Sequence, residues 1–224
     1  MDVVVPDPFH FDHRAGHSIN MVSDIVSWVA VGLILTTSVV ILLSRDWRIG
    51  LGALALQYLA AFWLVSQHLP FAMGSVKLIT GWMVVAILGM TRLNLTQVGH
   101  GELDTFHPDN SAFRIALMGI VTLAAFGTAP RVETSIPGLG LPVIVGGLLL
   151  IGSGVVHLGV TNDLLRISLG LLTTLAGFEI LYAAVESAIL VTGLLAAINL
   201  GLGVLGSYLL MAGSIPLTSP EEEG

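Results

Sequence analysis

The chain contains no cysteine. Disulfides, thiolate metal sites and cysteine-bound iron–sulfur clusters are therefore excluded, and any redox chemistry around it belongs to partners. Charge is scarce, at 10% of residues, where soluble chains carry about a quarter. Basic residues form no cluster, and much of the net charge of −7 sits in the polar ends and loops, including Glu221, Glu222 and Glu223. Nothing here suggests nucleic-acid binding. The first twenty residues lack the basic start and apolar core of a signal peptide, so a retained N-terminus is expected, with insertion directed by the first span. No inverted repeat of the kind built into many small-solute transporters stands out.

What the chain does have is apolar length. Hydrophobic residues make up 54% of its 224 positions, and mean hydropathy is +0.91. This is the composition of an integral membrane protein, with room for about seven spans and short connections. The predicted fold is all-α and polytopic: a polar tail over 1–22, one helical membrane domain over 23–212 and a second tail over 213–224. No separate catalytic domain fits. The expected helices are 24–43, 49–69, 71–91, 112–129, 141–160, 164–186 and 188–212. Charge with an interfacial tryptophan, Ser44-Arg-Asp-Trp-Arg48, ends the first helix. His68-Leu-Pro70 ends the second, and a Pro/Gly-rich turn is predicted over 130–140.

Polar groups inside such helices are the informative ones, because a charge facing lipid costs several kcal/mol. Leu165, Leu172, Glu179 and Glu186 recur every seven residues and share a stripe of the sixth helix. Gly170, Thr173, Thr174 and Gly177 form a small-residue face that admits a close neighbour. Glu179 is thus expected to face a partner helix, another subunit or a water-filled path. Lys77 in the third helix must pair, relay a proton or snorkel. Gln57 and Tyr58 read as interhelical hydrogen bonders. Glu186 falls near an interface and Asn199 near mid-membrane. His157 either ligates a pigment or haem or bonds a neighbour.

Two polar stretches invite a metal reading. The run His10-Phe-Asp-His-Arg-Ala-Gly-His17 offers His10, Asp12, His13 and His17, with a spacing read as fitting neither a helix face nor a finger. The connection 92–111 holds His100, Glu102, Asp104, His107 and Asp109. Solvated or partner-contacting segments account for both. No metal and no cofactor is expected.

With seven spans, the connections bearing Arg45, Arg48, Arg92, Arg114 and Arg166 fall on one side, and only Arg14 and Arg131 on the other. The positive-inside rule then puts the N-terminus outside and the C-terminus in the cytoplasm, across a cell inner membrane. In that frame Lys77 lies about 9 Å below the outer end of its helix, and Glu179 about 22 Å from the inner end of its own. Within a core about 30 Å thick the two share a depth. A Lys77–Glu179 pair, direct or through water, is the expectation, or else each faces a neighbouring subunit at that level.

The run Asn162-Asp-Leu-Leu-Arg-Ile-Ser-Leu-Gly170 resembles the start of the second helix in the K subunit of respiratory complex I and the C subunit of Mrp antiporters. It is more similar still to the late helices of hydrogenase-4 component E. Asp46-Trp-Arg-Ile-Gly-Leu-Gly52 and Ser75-Val-Lys-Leu-Ile-Thr-Gly-Trp82 also resemble component E, including an intramembrane lysine at Lys77. Aligned without gaps from Asn162, the K subunit's membrane glutamate falls on Leu172 and its next-helix glutamate near Asn199. Glu179 matches instead within Gly177-Phe-Glu-Ile180, two turns further along the same stripe.

The resemblance implies a membrane subunit of an ion-translocating respiratory or hydrogenase-type complex, non-catalytic alone. It would anchor antiporter-like and other membrane subunits, with redox cofactors housed elsewhere. Candidate proton-path residues are Lys77, Glu179, Glu186, His157 and Asn199. The alternatives are a structural or pigment-associated subunit of another energy-conserving assembly, using His157 or His68 for contacts, and a small solute transporter.

Overall fold

The structure is a computed structural model, which describes residues 13–97, 111–186 and 188–214. Among these residues it contains seven α-helices: α1 (His13–Leu43), α2 (Trp47–Val65), α3 (Phe71–Gln97), α4 (Ser111–Ser135), α5 (Leu141–Val160), α6 (Leu164–Val185) and α7 (Ile189–Gly213). All seven are long and apolar enough to cross a membrane. The protein is an all-α, multi-pass membrane protein. In a bilayer this is what backbone chemistry requires, since a helix satisfies its own N–H and C=O groups within the segment.

Four helix ends depart from the sequence-based expectation, one of them that of α2, which stops at Val65 rather than at 69. α1 begins at His13, inside the stretch read as a polar tail. The prolines that made that tail look irregular are Pro6 and Pro8, and no proline follows them before Pro70. His13 and His17 consequently stand in helical backbone. His10 and Asp12 lie outside the described residues. α3 runs on to Gln97, and α4 continues through Pro130 to Ser135. A proline removes one i to i−4 bond, which a helix with neighbours survives at the membrane rim. The predicted turn shrinks to 136–140.

The helices form two layers of three. α1–α2–α3 make one and α5–α6–α7 the other, while α4 packs beside α5 and α1. Each helix of the first layer runs parallel to its counterpart in the second. Ile34 packs by Gly146 and Ser38 by Ser153. Gly50 packs by Leu169 and Gln57 by Thr173. Val84 lies by Gly203, Leu88 by Gly206 and Thr91 by Ser207. The two halves therefore have the same sense rather than the inverted one.

α5 and α6 make the closest approach. A Cβ added at Gly177 would lie 2.7 Å from both the Gly147 carbonyl oxygen and the Ile151 nitrogen. Only glycine lets these backbones meet. The buried interior that results is lined by Ile34, Leu54, Leu64, Leu88, Ile144, Leu149, Leu150, Leu172 and Ile180. Into this apolar packing a small set of polar side chains is inserted.

Candidate functional site: a buried ion pair and its polar surroundings

Lys77 and Glu179 meet between α3 and α6. Each stands six residues from the nearer end of its helix, Phe71 for Lys77 and Val185 for Glu179. That is about 9 Å of rise in both cases, so they share a depth. Lys77 Nζ is 3.6 Å from Glu179 Oε2, and it also donates to the main-chain oxygen of Glu179 at 3.3 Å. Both residues are buried. The pairing expected from depth alone is present as a direct contact. Glu179 Oε1 has no hydrogen-bond partner among the described residues.

Tyr58 of α2 packs its ring against Gly81 of α3, one turn along from Lys77. Its hydroxyl donates to Asn199 Oδ1 of α7 at 2.8 Å, and both side chains are buried. The Tyr58 ring fits only because Gly81 of α3 faces it, where an added Cβ would come within 2.5 Å of ring carbons. Four helices thus converge here: α2 through Tyr58, α3 through Lys77, α6 through Glu179 and α7 through Asn199.

The preceding residue of α2 reaches different helices. Gln57 donates from Nε2 to Ser38 Oγ of α1 at 3.0 Å and accepts from Thr173 Oγ1 of α6 at 3.1 Å. Ser153 of α5 donates to the same Ser38 oxygen at 3.2 Å. All four side chains are buried. Consecutive helix positions diverge by about 100°, so Gln57 and Tyr58 reach different neighbours of α2. α2 is the hub between the two polar groups. The expected interhelical role of Gln57 and Tyr58 is what the structure shows, whereas Ser38 and Ser153 had no sequence signal beyond being polar in an apolar helix.

The remaining candidates separate. His157 is buried in the last turn of α5, and neither ring nitrogen has a partner among the described residues. Glu186 is an exposed cap at the end of α6, away from the pair. His68 is partly buried, with Nε2 3.0 Å from the Leu139 carbonyl oxygen. The loop residues His100, Glu102, Asp104, His107 and Asp109 lie outside the described residues. Among the described residues no three His, Asp or Glu side chains are grouped to hold a metal.

The basic groups gather at the other end from the ion pair. α1 ends there, and its last carbonyls lack intrahelical donors. Arg114 of α4 donates to Leu42 O at 3.1 Å, and Arg166 of α6 donates to Ser44 O at 2.8 Å. Arg48 stacks over Trp47 at 5.2 Å, and Asp46 caps α2 by accepting from the Arg48 N–H at 2.9 Å.

Fold and site together define a polytopic helical membrane protein with an intramembrane ion pair. In comparisons with known proteins, no family, no curated protein and no solved structure matches the chain.

Proposed function

We propose that this chain is a membrane subunit of an ion-translocating respiratory or hydrogenase-type complex, related to hydrogenase-4 component E. It anchors antiporter-like subunits and contributes the Lys77–Glu179 pair to a proton path. It has no catalysis of its own, and redox centres belong to other subunits. The observation that carries this reading is the pair itself. A buried ion pair is a poor stabiliser, because desolvation offsets most of its attraction, and ionisable residues at membrane depth typically mark ion pathways. The sequence resemblance at Lys77 and at 162–170 supports the same class.

The geometry favours protons over sodium. The Lys77 ammonium lies against Glu179 Oε2 and the Glu179 main-chain oxygen, and a sodium ion there would need those same oxygens. Tyr58 with Asn199, and separately the Gln57 group, place further polar side chains inside the bundle, while His157 and Glu186 stand near opposite ends of it. Positive charge at the Arg45, Arg48, Arg114 and Arg166 end supports a cytoplasmic C-terminus and an outside N-terminus in a cell inner membrane.

The test is purification of the tagged native protein in mild detergent, followed by mass-spectrometric identification of what stays bound. Recovery with antiporter-like and hydrogenase-like or quinone-reducing subunits is expected. Recovery alone, or with pigment proteins, removes the assignment.

A further inference from the structure

We infer that His157 holds bound water, in a small hydrated pocket at the arginine-bearing end of the bundle. This is independent of the ion-translocating role. His157 is 4% exposed, and both Nδ1 and Nε2 lack hydrogen-bond partners among the described residues. In either neutral tautomer imidazole offers one N–H and one lone pair, and as a cation two N–H groups. Two positions are left open in every state. A buried polar group left without a partner is destabilising, and an apolar residue at 157 would avoid that cost.

The surroundings supply what a water molecule needs. α1 and α5 run parallel, and Ser153 meets Ser38. One turn further along both helices, His157 therefore stands at the level of Leu42. The Leu42 carbonyl receives Arg114 and the Ser44 carbonyl receives Arg166. Guanidinium donors and carbonyl acceptors thus share the depth of the imidazole, and a buried water is held by two to four such groups. A lipid phosphate is too large to reach a ring this buried. A small anion is the competing occupant, because Arg114 and Arg166 bring positive charge to this level, and the experiment separates the two. Water at His157 would bring aqueous contact to within one turn of Ser153, the near end of the Gln57 group.

The experiment is hydroxyl-radical footprinting of the full chain in lipid nanodiscs, read by mass spectrometry, in chloride and then with chloride replaced by gluconate or supplemented with phosphate. Radicals generated from water modify side chains that touch it. His157 is expected to be modified well above Leu149 and Leu150, fully buried residues on the same helix, and equally in all three buffers once labelling is normalised to an exposed residue of the same chain, which cancels radical scavenging by gluconate. Silence at His157 would show a dry site and overturn the inference. Labelling that falls when chloride or phosphate is present would overturn it in favour of a bound anion. The wild-type protein suffices, so no outcome depends on a variant folding.

Discussion

Lys77 reaches across from α3 to take both a side-chain and a main-chain oxygen of Glu179, at 3.6 and 3.3 Å. The carboxylate and the carbonyl beside it are served by one ammonium, which ties α3 to α6 across the bundle. Removing either partner leaves the other buried without its counterpart. Lys77→Met and Glu179→Gln should each destabilise the folded protein, by up to about 3–5 kcal/mol if the remaining group stays charged. The double variant should lose much less than the sum. Equilibrium unfolding of the four proteins in bicelles measures this, and additive losses would contradict a direct pair.

Lys77 is the only lysine in the chain, and it is buried. Amine-reactive reagents should therefore leave it unmodified in the membrane-embedded protein and label it after denaturation. Peptide mass spectrometry distinguishes Lys77 from the N-terminal amine. Rapid labelling of the native protein would mean that the side chain snorkels to the surface instead of pairing.

The two polar groups that α2 reaches should respond differently to deletion. Thr173→Val leaves Gln57 with its Ser38 contact and should cost about 0.6 kcal/mol, the usual worth of an interhelical hydrogen bond in a membrane. Tyr58→Phe takes away the donor to Asn199 Oδ1. Gln57 stays anchored to Ser38 through its own N–H in the first variant, whereas Asn199 keeps no other side-chain hydrogen bond among the described residues in the second, so the loss should approach the cost of a buried unsatisfied group, about 1–3 kcal/mol. Thermal unfolding of both variants side by side gives the order.

Gly177→Ala puts a methyl group where backbone atoms of α5 already stand, 2.7 Å away. The α5–α6 seam must open, at a cost of about 1–3 kcal/mol by the measure of overpacked cores. Gly193→Ala on α7, where nothing lies within 4 Å of an added Cβ, should be neutral in the isolated protein. A lower unfolding temperature for Gly177→Ala and an unchanged one for Gly193→Ala is the expected pattern.

Seven helices were legible because long apolar runs separated by charge and proline have one outcome in a bilayer. The depth match of Lys77 and Glu179 was legible for the same reason, since rise per residue and helix ends fix height. The partners around the pair were not. Which face of α2 meets which neighbour depends on rotation about the helix axis, and an apolar helix surrounded by lipid has little periodicity to reveal it. Tyr58 and Asn199, 141 residues apart, meet only because Gly81 makes room for the tyrosine ring. Pro130 misled for a different reason: a proline signals a helix end in water, whereas α4 passes through it.

The central claim is that Glu179, held by Lys77, takes part in moving protons within a larger complex. The most direct measurement is substrate-driven acidification of inverted native membrane vesicles carrying Glu179→Gln, with assembly checked by native gel and electron transfer followed in parallel. Loss of most proton translocation, in vesicles where the complex assembles and electron transfer persists, is the predicted result. Full translocation by an assembled Glu179→Gln complex would contradict the claim and leave the pair a structural clamp between α3 and α6.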